Sequence, residues 1–95
     1  MKVKDIFTRR IYWTKGSLAR SLVLRNYKSI DNAKVGKNAF CLTGAIEICY
    51  PDRKERALIK AKVQEKLGII SIFLWNDDNK RKFREVRDLV RELDI

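Results

Sequence analysis

The stretch from Ala39 to Tyr50, AFCLTGAIEICY, runs directly into Pro51 and constrains the fold more than any other part of the chain. Phe40, Cys41, Leu42, Ala45, Ile46, Ile48 and Cys49 make it apolar nearly all the way round a helical wheel, a pattern that belongs in an interior. It is predicted as the central buried helix, capped by Asn38 and stopped by Pro51. Gly44 in a helix interior costs roughly 1 kcal/mol relative to Ala, so its presence predicts another backbone passing close by.

A chain of 95 residues has room for one such helix and one shell around it, hence one domain over residues 1–95 with a single modest core. Val3, Ile6, Phe7 and Ile11 recur at helical spacing and predict an amphipathic helix over 3–12 with a basic outer face. Trp13 is expected to close over the core, and Thr14 to Ser17 to form a turn with a candidate N-cap. From Leu18 to Ile30 a short helix followed by irregular or hairpin-like chain is favoured over a strand, and residues 31–37 form a loop by composition. Asp52 and Glu55 have the spacing of an N-cap and its reciprocal partner, opening a helix with Leu58, Ile59, Val63 and Leu67 on one side and Gly68 as its C-terminal cap. Ile69 to Trp75 is apolar except for Ser71 and fits a buried strand or an extended crossing of the core.

Asn76, Asp77, Asp78 and Asn79 can each cap a helix from about 79 to 94 that turns Phe83, Val86, Leu89, Val90 and Leu93 inward. On its outer face Arg81 with Glu85, Arg84 with Asp88, and Arg87 beside Asp88 and Arg91 form an internally paired surface. The fold class is thus mainly α: a small single-domain bundle of four or five short helices, with a short strand or hairpin allowed around 20–36 and 69–75.

The chain contains no histidine, which removes the commonest general base, metal ligand and pH switch together. Cys41 and Cys49 stand eight apart among apolar residues, a spacing that fits no zinc pattern and reads as two structural thiols. The 76–79 cluster lacks the glycine and closing glutamate of a calcium loop. With no Gly-rich phosphate loop either, no enzyme activity, cofactor or metal is expected. No apolar run approaches the ~20 residues of a membrane span and no signal segment follows Met1, so a cytoplasmic protein without membrane contact is expected.

Net charge is +10, and it is uneven: residues 1–47 carry ten Lys and Arg against three acids, whereas 48–95 carry twelve against nine. Such a face attracts polyanions. The candidate nucleic-acid contacts are Lys2, Lys4, Arg9 and Arg10 in the first segment, then Lys15, Arg20, Arg25 and Lys28. Trp13 and Tyr27, interleaved among them, are candidates for base stacking or for an interface. Trp75, Asn76 and Asp77 are expected to be a structural motif, with Trp75 anchored in the core and its indole N–H requiring a partner. No helix-turn-helix, RNA-recognition or zinc-finger signature is present, so only non-specific phosphate contact is expected.

Trp13-Thr14-x-Gly16-x-x-Ala19-Arg20, Phe40-Cys41-Leu42-x-Gly44-Ala45 and Trp75-Asn76-Asp77 follow one another along most of the chain. Taken together they resemble a family of small, functionally uncharacterised phage and bacterial proteins. The resemblance implies a mainly helical domain of phage or mobile-element origin and implies no activity. The strong basic charge, and Lys82-Phe83 in place of a Thr cap, depart from the pattern. The first functional expectation is a small non-enzymatic accessory protein that binds nucleic acid, or a nucleic acid complex, through its basic N-terminal half. The alternative is a protein-interaction module or inhibitor that binds an acidic surface of a host factor.

Overall fold

In the computed structural model residues 1–23 and 27–95 are described, Tyr27 and Lys28 by their backbone alone. In chain order the elements are α1 (Val3–Ile6), a 3-10 turn (Arg10–Tyr12), β1 (Ala19–Ser21), β2 (Tyr27–Lys28), a second 3-10 turn (Ile30–Asn32), β3 (Asn38–Phe40), α2 (Leu42–Cys49), α3 (Arg53–Leu67), α4 (Ile72–Asp77) and α5 (Phe83–Leu93). The fold is mainly α, as its composition of short amphipathic segments predicts, with a small antiparallel sheet in the order β2-β1-β3. Ala19 lies opposite Lys28 on one side and opposite Phe40 on the other.

The apolar stretch is central, but its first part is strand. Asn38 to Phe40 pair with β1, and the helix begins only at Leu42, capped by the Cys41 sulfur, which accepts from the Gly44 N–H at 3.3 Å. Asn38 caps no helix: its Oδ1 accepts from the Lys34 N–H and its Nδ2 donates to the Arg20 carbonyl, closing the 34–38 loop against the sheet. A buried strand and a buried helix are equally apolar, so pattern alone does not separate them. Leu42, Ala45 and Ile46 have no exposure at all. A Cβ on Gly44 would overlap the carbonyl of Leu18, the close backbone approach that the glycine foretold. That carbonyl also accepts the Cys41 N–H at 3.2 Å.

The predicted 3–12 helix is cut short at Ile6. Asp5 accepts the Lys2 N–H at 2.8 Å and starts the turn, but Arg9 is extended (φ −143°), and the chain then runs beside β3, where the Thr14 N–H donates to the Phe40 carbonyl. Continuing the helix would forfeit that pairing. Val3, Ile6 and Phe7 are core residues, whereas Ile11 is 52% exposed. Likewise the helix favoured after Leu18 is not formed; β1 alternates buried Ala19 and Ser21 with exposed Arg20, and its hydrogen bonds go to β2 and β3. The phosphate contacts expected of Arg25 and Lys28 and the stacking expected of Tyr27 lie outside the described residues and side chains.

Where a strand or extended crossing was expected at 69–75, the chain forms α4. The Ser71 hydroxyl accepts from the Leu74 N–H at 3.1 Å and supplies the N-cap that an apolar run otherwise lacks. Ile72 and Asn76, four apart, face inward; Ile70, Phe73 and Leu74 face outward. The 76–79 cluster does not cap α5 either. That helix starts at Phe83, and the Glu85 carboxylate accepts the Lys82 N–H at 2.9 Å. Val86, Leu89 and Val90 are buried as the spacing predicts, and Arg81 pairs with Glu85 at 2.9 Å. Asp88 pairs with Arg87 and not with Arg84.

α3 follows its local signals: Asp52 accepts the Glu55 N–H at 2.9 Å, and Gly68 ends the helix in the left-handed region at φ 64°. Only Val63 of its apolar side is fully enclosed, and Leu58 is exposed. The N- and C-terminal segments close the shell together, with the Ile95 carbonyl accepting from Val3 and Ile95 itself buried. Among the described residues no helix is long and apolar enough to cross a membrane.

Candidate nucleic-acid interface

Asn76 is fully buried and uses both ends of its amide. Its Oδ1 accepts from the Trp13 indole Nε1 at 2.7 Å and from the Leu42 backbone N–H at 3.0 Å. Its Nδ2 donates to the Thr14 carbonyl at 3.1 Å and to Asp77 Oδ1 at 2.9 Å. Donors meet the oxygen and acceptors meet the nitrogen, so no polar atom of the side chain is wasted in the interior. Asp77 Oδ1 also accepts the Gly16 N–H at 3.1 Å. The motifs around Trp13, Phe40 and Trp75 therefore meet at one junction, where the last turn of α4 holds the 13–16 segment and the N-terminus of α2.

Asn76 and Asp77 bridge separate segments and do not cap α5, and Trp75 is not enclosed in the core. Trp75 is half-buried, with the Arg81 guanidinium stacked on its ring at 3.8 Å and the Arg81 Nε donating to the Trp75 carbonyl. Several oxygens of the cluster accept from protein donors: Asp77 Oδ1 from the Gly16 N–H, Asp78 Oδ1 from the Lys80 N–H, and the Asp78 carbonyl from Lys15 Nζ at 2.6 Å. Among the described residues no group of His, Cys, Asp and Glu could hold a metal ion. Cys41 and Cys49 are both free thiols; burial raises the first and pushes the second up to about 11, which keeps them protonated and inert near neutrality.

The junction shapes a cleft of about 590 Å³ lined by Arg10, Ile11, Trp13, Thr14, Lys15, Asn79 and Arg81. Its cations come from three parts of the chain: the first 3-10 turn, the 14–17 turn and the link between α4 and α5. Among the described residues no acidic side chain lines it. Trp13 lines it, its ring tilted against Phe83 at 6.3 Å and the Lys15 ammonium over the ring at 5.4 Å from its centroid. A second hollow of about 220 Å³ shares Ile11, Trp13 and Thr14 with the first and reaches Arg20 on β1.

The predicted basic residues thus divide. Arg10, Lys15 and Arg20 gather around Trp13. Lys2 and Lys4 lie elsewhere, both ion-paired to Asp94, and Arg9 is exposed at the start of the 3-10 turn. Arg81 and Asn79 were missed. In the sequence Arg81 belongs to the paired face of the last helix, and nothing in linear spacing ties it to Arg10; the co-occurrence of the Trp13 and Trp75 motifs was the only available sign that the two regions meet.

Comparison with protein-family models, curated proteins and solved structures finds no match for this chain. The functional reading accordingly rests on the site's own chemistry.

Proposed function

We propose that this chain is a small, basic, non-enzymatic accessory protein of the cytoplasm that binds nucleic acid, or a nucleic acid complex, by phosphate contact. The observation that carries this reading is the convergence of Arg10, Lys15 and Arg81 on one cleft without an acidic lining, in a chain of net charge +10. Cations pooled from separate segments raise the local potential well above that of the same charges scattered over a surface. The charge of Arg81 is partly offset by Glu85, which leaves Arg10 and Lys15 as the principal phosphate contacts. The motif resemblance supports a phage or mobile-element setting.

The test is fluorescence anisotropy with labelled DNA and RNA across a salt series, on the wild type and on Arg10→Gln/Lys15→Gln. On duplex DNA, log affinity is expected to fall linearly with log salt, with the slope shallower in the variant by about 0.9 for each phosphate contact removed. Absence of binding at the lowest salt would overturn the proposal.

A second reading, a protein-interaction module, draws support from a different observation. Ile70, Phe73 and Leu74 are 92%, 41% and 69% exposed within one stretch, the kind of apolar cluster that protein contacts cover. Capture of a partner that survives high salt and is lost on Leu74→Ser would favour it.

A further inference from the structure

We infer that the cleft at Trp13 takes an unpaired nucleotide strand in preference to a duplex, an inference that rests on the nucleic-acid reading above. Duplex readers push a helix or a two-stranded ribbon into a groove about 12 Å wide. Here the geometry is the reverse: Arg10, Lys15 and Arg81 surround a hollow, and its volume of about 590 Å³ is that of a small-ligand pocket. A duplex offers such a hollow only the phosphates on its outer surface and none of its stacked bases, whereas a single strand turns its phosphates and bases independently.

The aromatic part of the lining suits a base. Trp13 is fixed by its hydrogen bond to Asn76 and by its contact with Phe83, so stacking on it would cost little ordering of the protein. Beside it stands Ile11, half-exposed and outside the core, an apolar surface that a base would cover. The Lys15 ammonium stands over the ring and donates to the Asp78 carbonyl at 2.6 Å, so a stacking base would displace it, and its long stem lets it swing to a phosphate. Because the second hollow shares Ile11, Trp13 and Thr14 and ends at Arg20, a strand lying across the indole has basic side chains at either end of its path. This is the arrangement of single-strand binding sites, an aromatic platform flanked by cations, and it carries no sequence readout.

The experiment measures anisotropy with oligo(dT), oligo(U) and a hairpin duplex of equal charge at one low salt concentration. It adds photo-crosslinking to a 5-iodouracil-substituted strand with the adduct mapped by mass spectrometry. Expected are single-strand affinities at least about tenfold above the duplex, a loss of about threefold or more in Ile11→Ala for the single strands only, and an adduct on Trp13. Ile11 is a surface residue, so this variant retains the fold, which circular dichroism verifies. Equal binding of duplex and single strand, or an adduct confined to other residues, would overturn the inference and leave the nucleic-acid reading standing. No binding to any of the three probes would overturn both.

Discussion

The indole N–H of Trp13 donates to the side-chain oxygen of Asn76 at 2.7 Å, across 63 positions of sequence. Through this bond the Trp13 side of the basic cleft is fixed by the same buried amide that accepts the Leu42 N–H at the start of α2. The shape of the candidate site is therefore coupled to the stability of the core.

Asn76→Ala is expected to be among the most damaging single changes. It strands the Trp13 N–H, the Leu42 N–H and the Thr14 carbonyl in the interior at roughly 1–3 kcal/mol for each unsatisfied group, partly relieved by water, so a loss of about 3–4 kcal/mol is expected. Asn76→Asp keeps the acceptor but loses the donor to Thr14 and places a charge beside Asp77, and should also destabilise. Urea denaturation of both variants checks this; a midpoint within error of the wild type would show that the junction carries no stability.

Gly44→Ala tests the close approach of Leu18. In an open helix this change would stabilise by about 1 kcal/mol. Here the added methyl would overlap the Leu18 carbonyl, which cannot withdraw without losing the Cys41 N–H, so a net loss of about 1–3 kcal/mol is expected. Thermal melting decides the sign, and a raised melting temperature would refute the tight contact.

Asp94 should shape the acid limb of stability. Its hydrogen bonds from Lys4 and Lys2 hold its carboxyl down at about 2, below the usual range of about 3.9 for an unfolded chain. Because the folded state favours the ionised form, this contribution is present above about pH 4 and is lost as pH falls toward 2. In Asp94→Asn the decline over that window should be shallower, by a small amount that shrinks with salt because the pair is exposed. Melting temperatures across the acid range on both proteins check it; parallel curves would exclude the coupling.

Thiol chemistry reports on the interior. With Cys49 pushed up to about 11 and Cys41 raised by burial, labelling by a thiol reagent at about pH 8 should run on the order of a hundredfold slower in the folded protein than in denaturant. Rapid labelling of both residues without denaturant would contradict the packing of α2.

The features legible from sequence alone were those whose causes are local. Asp52, Glu55 and Gly68 delimit α3 because a cap acts within one turn of its own residue, and Gly44 announced a crossing backbone because a helix interior tolerates glycine for few other reasons. The helical spacing of Val86, Leu89 and Val90 likewise placed α5 against the core. The choice between strand and helix at Asn38–Phe40 and at Ile72–Asp77 was not legible, since an apolar run is compatible with either until its backbone partners are known. For Phe40 those partners lie on β1, and for α4 the decision is shared between the Ser71 cap and the burial of Asn76. The site belongs wholly to the tertiary structure: Arg10, Lys15 and Arg81 meet because Asn76 and Asp77 hydrogen-bond to residues more than sixty positions away, and bonds of that span leave no periodicity in the chain that makes them.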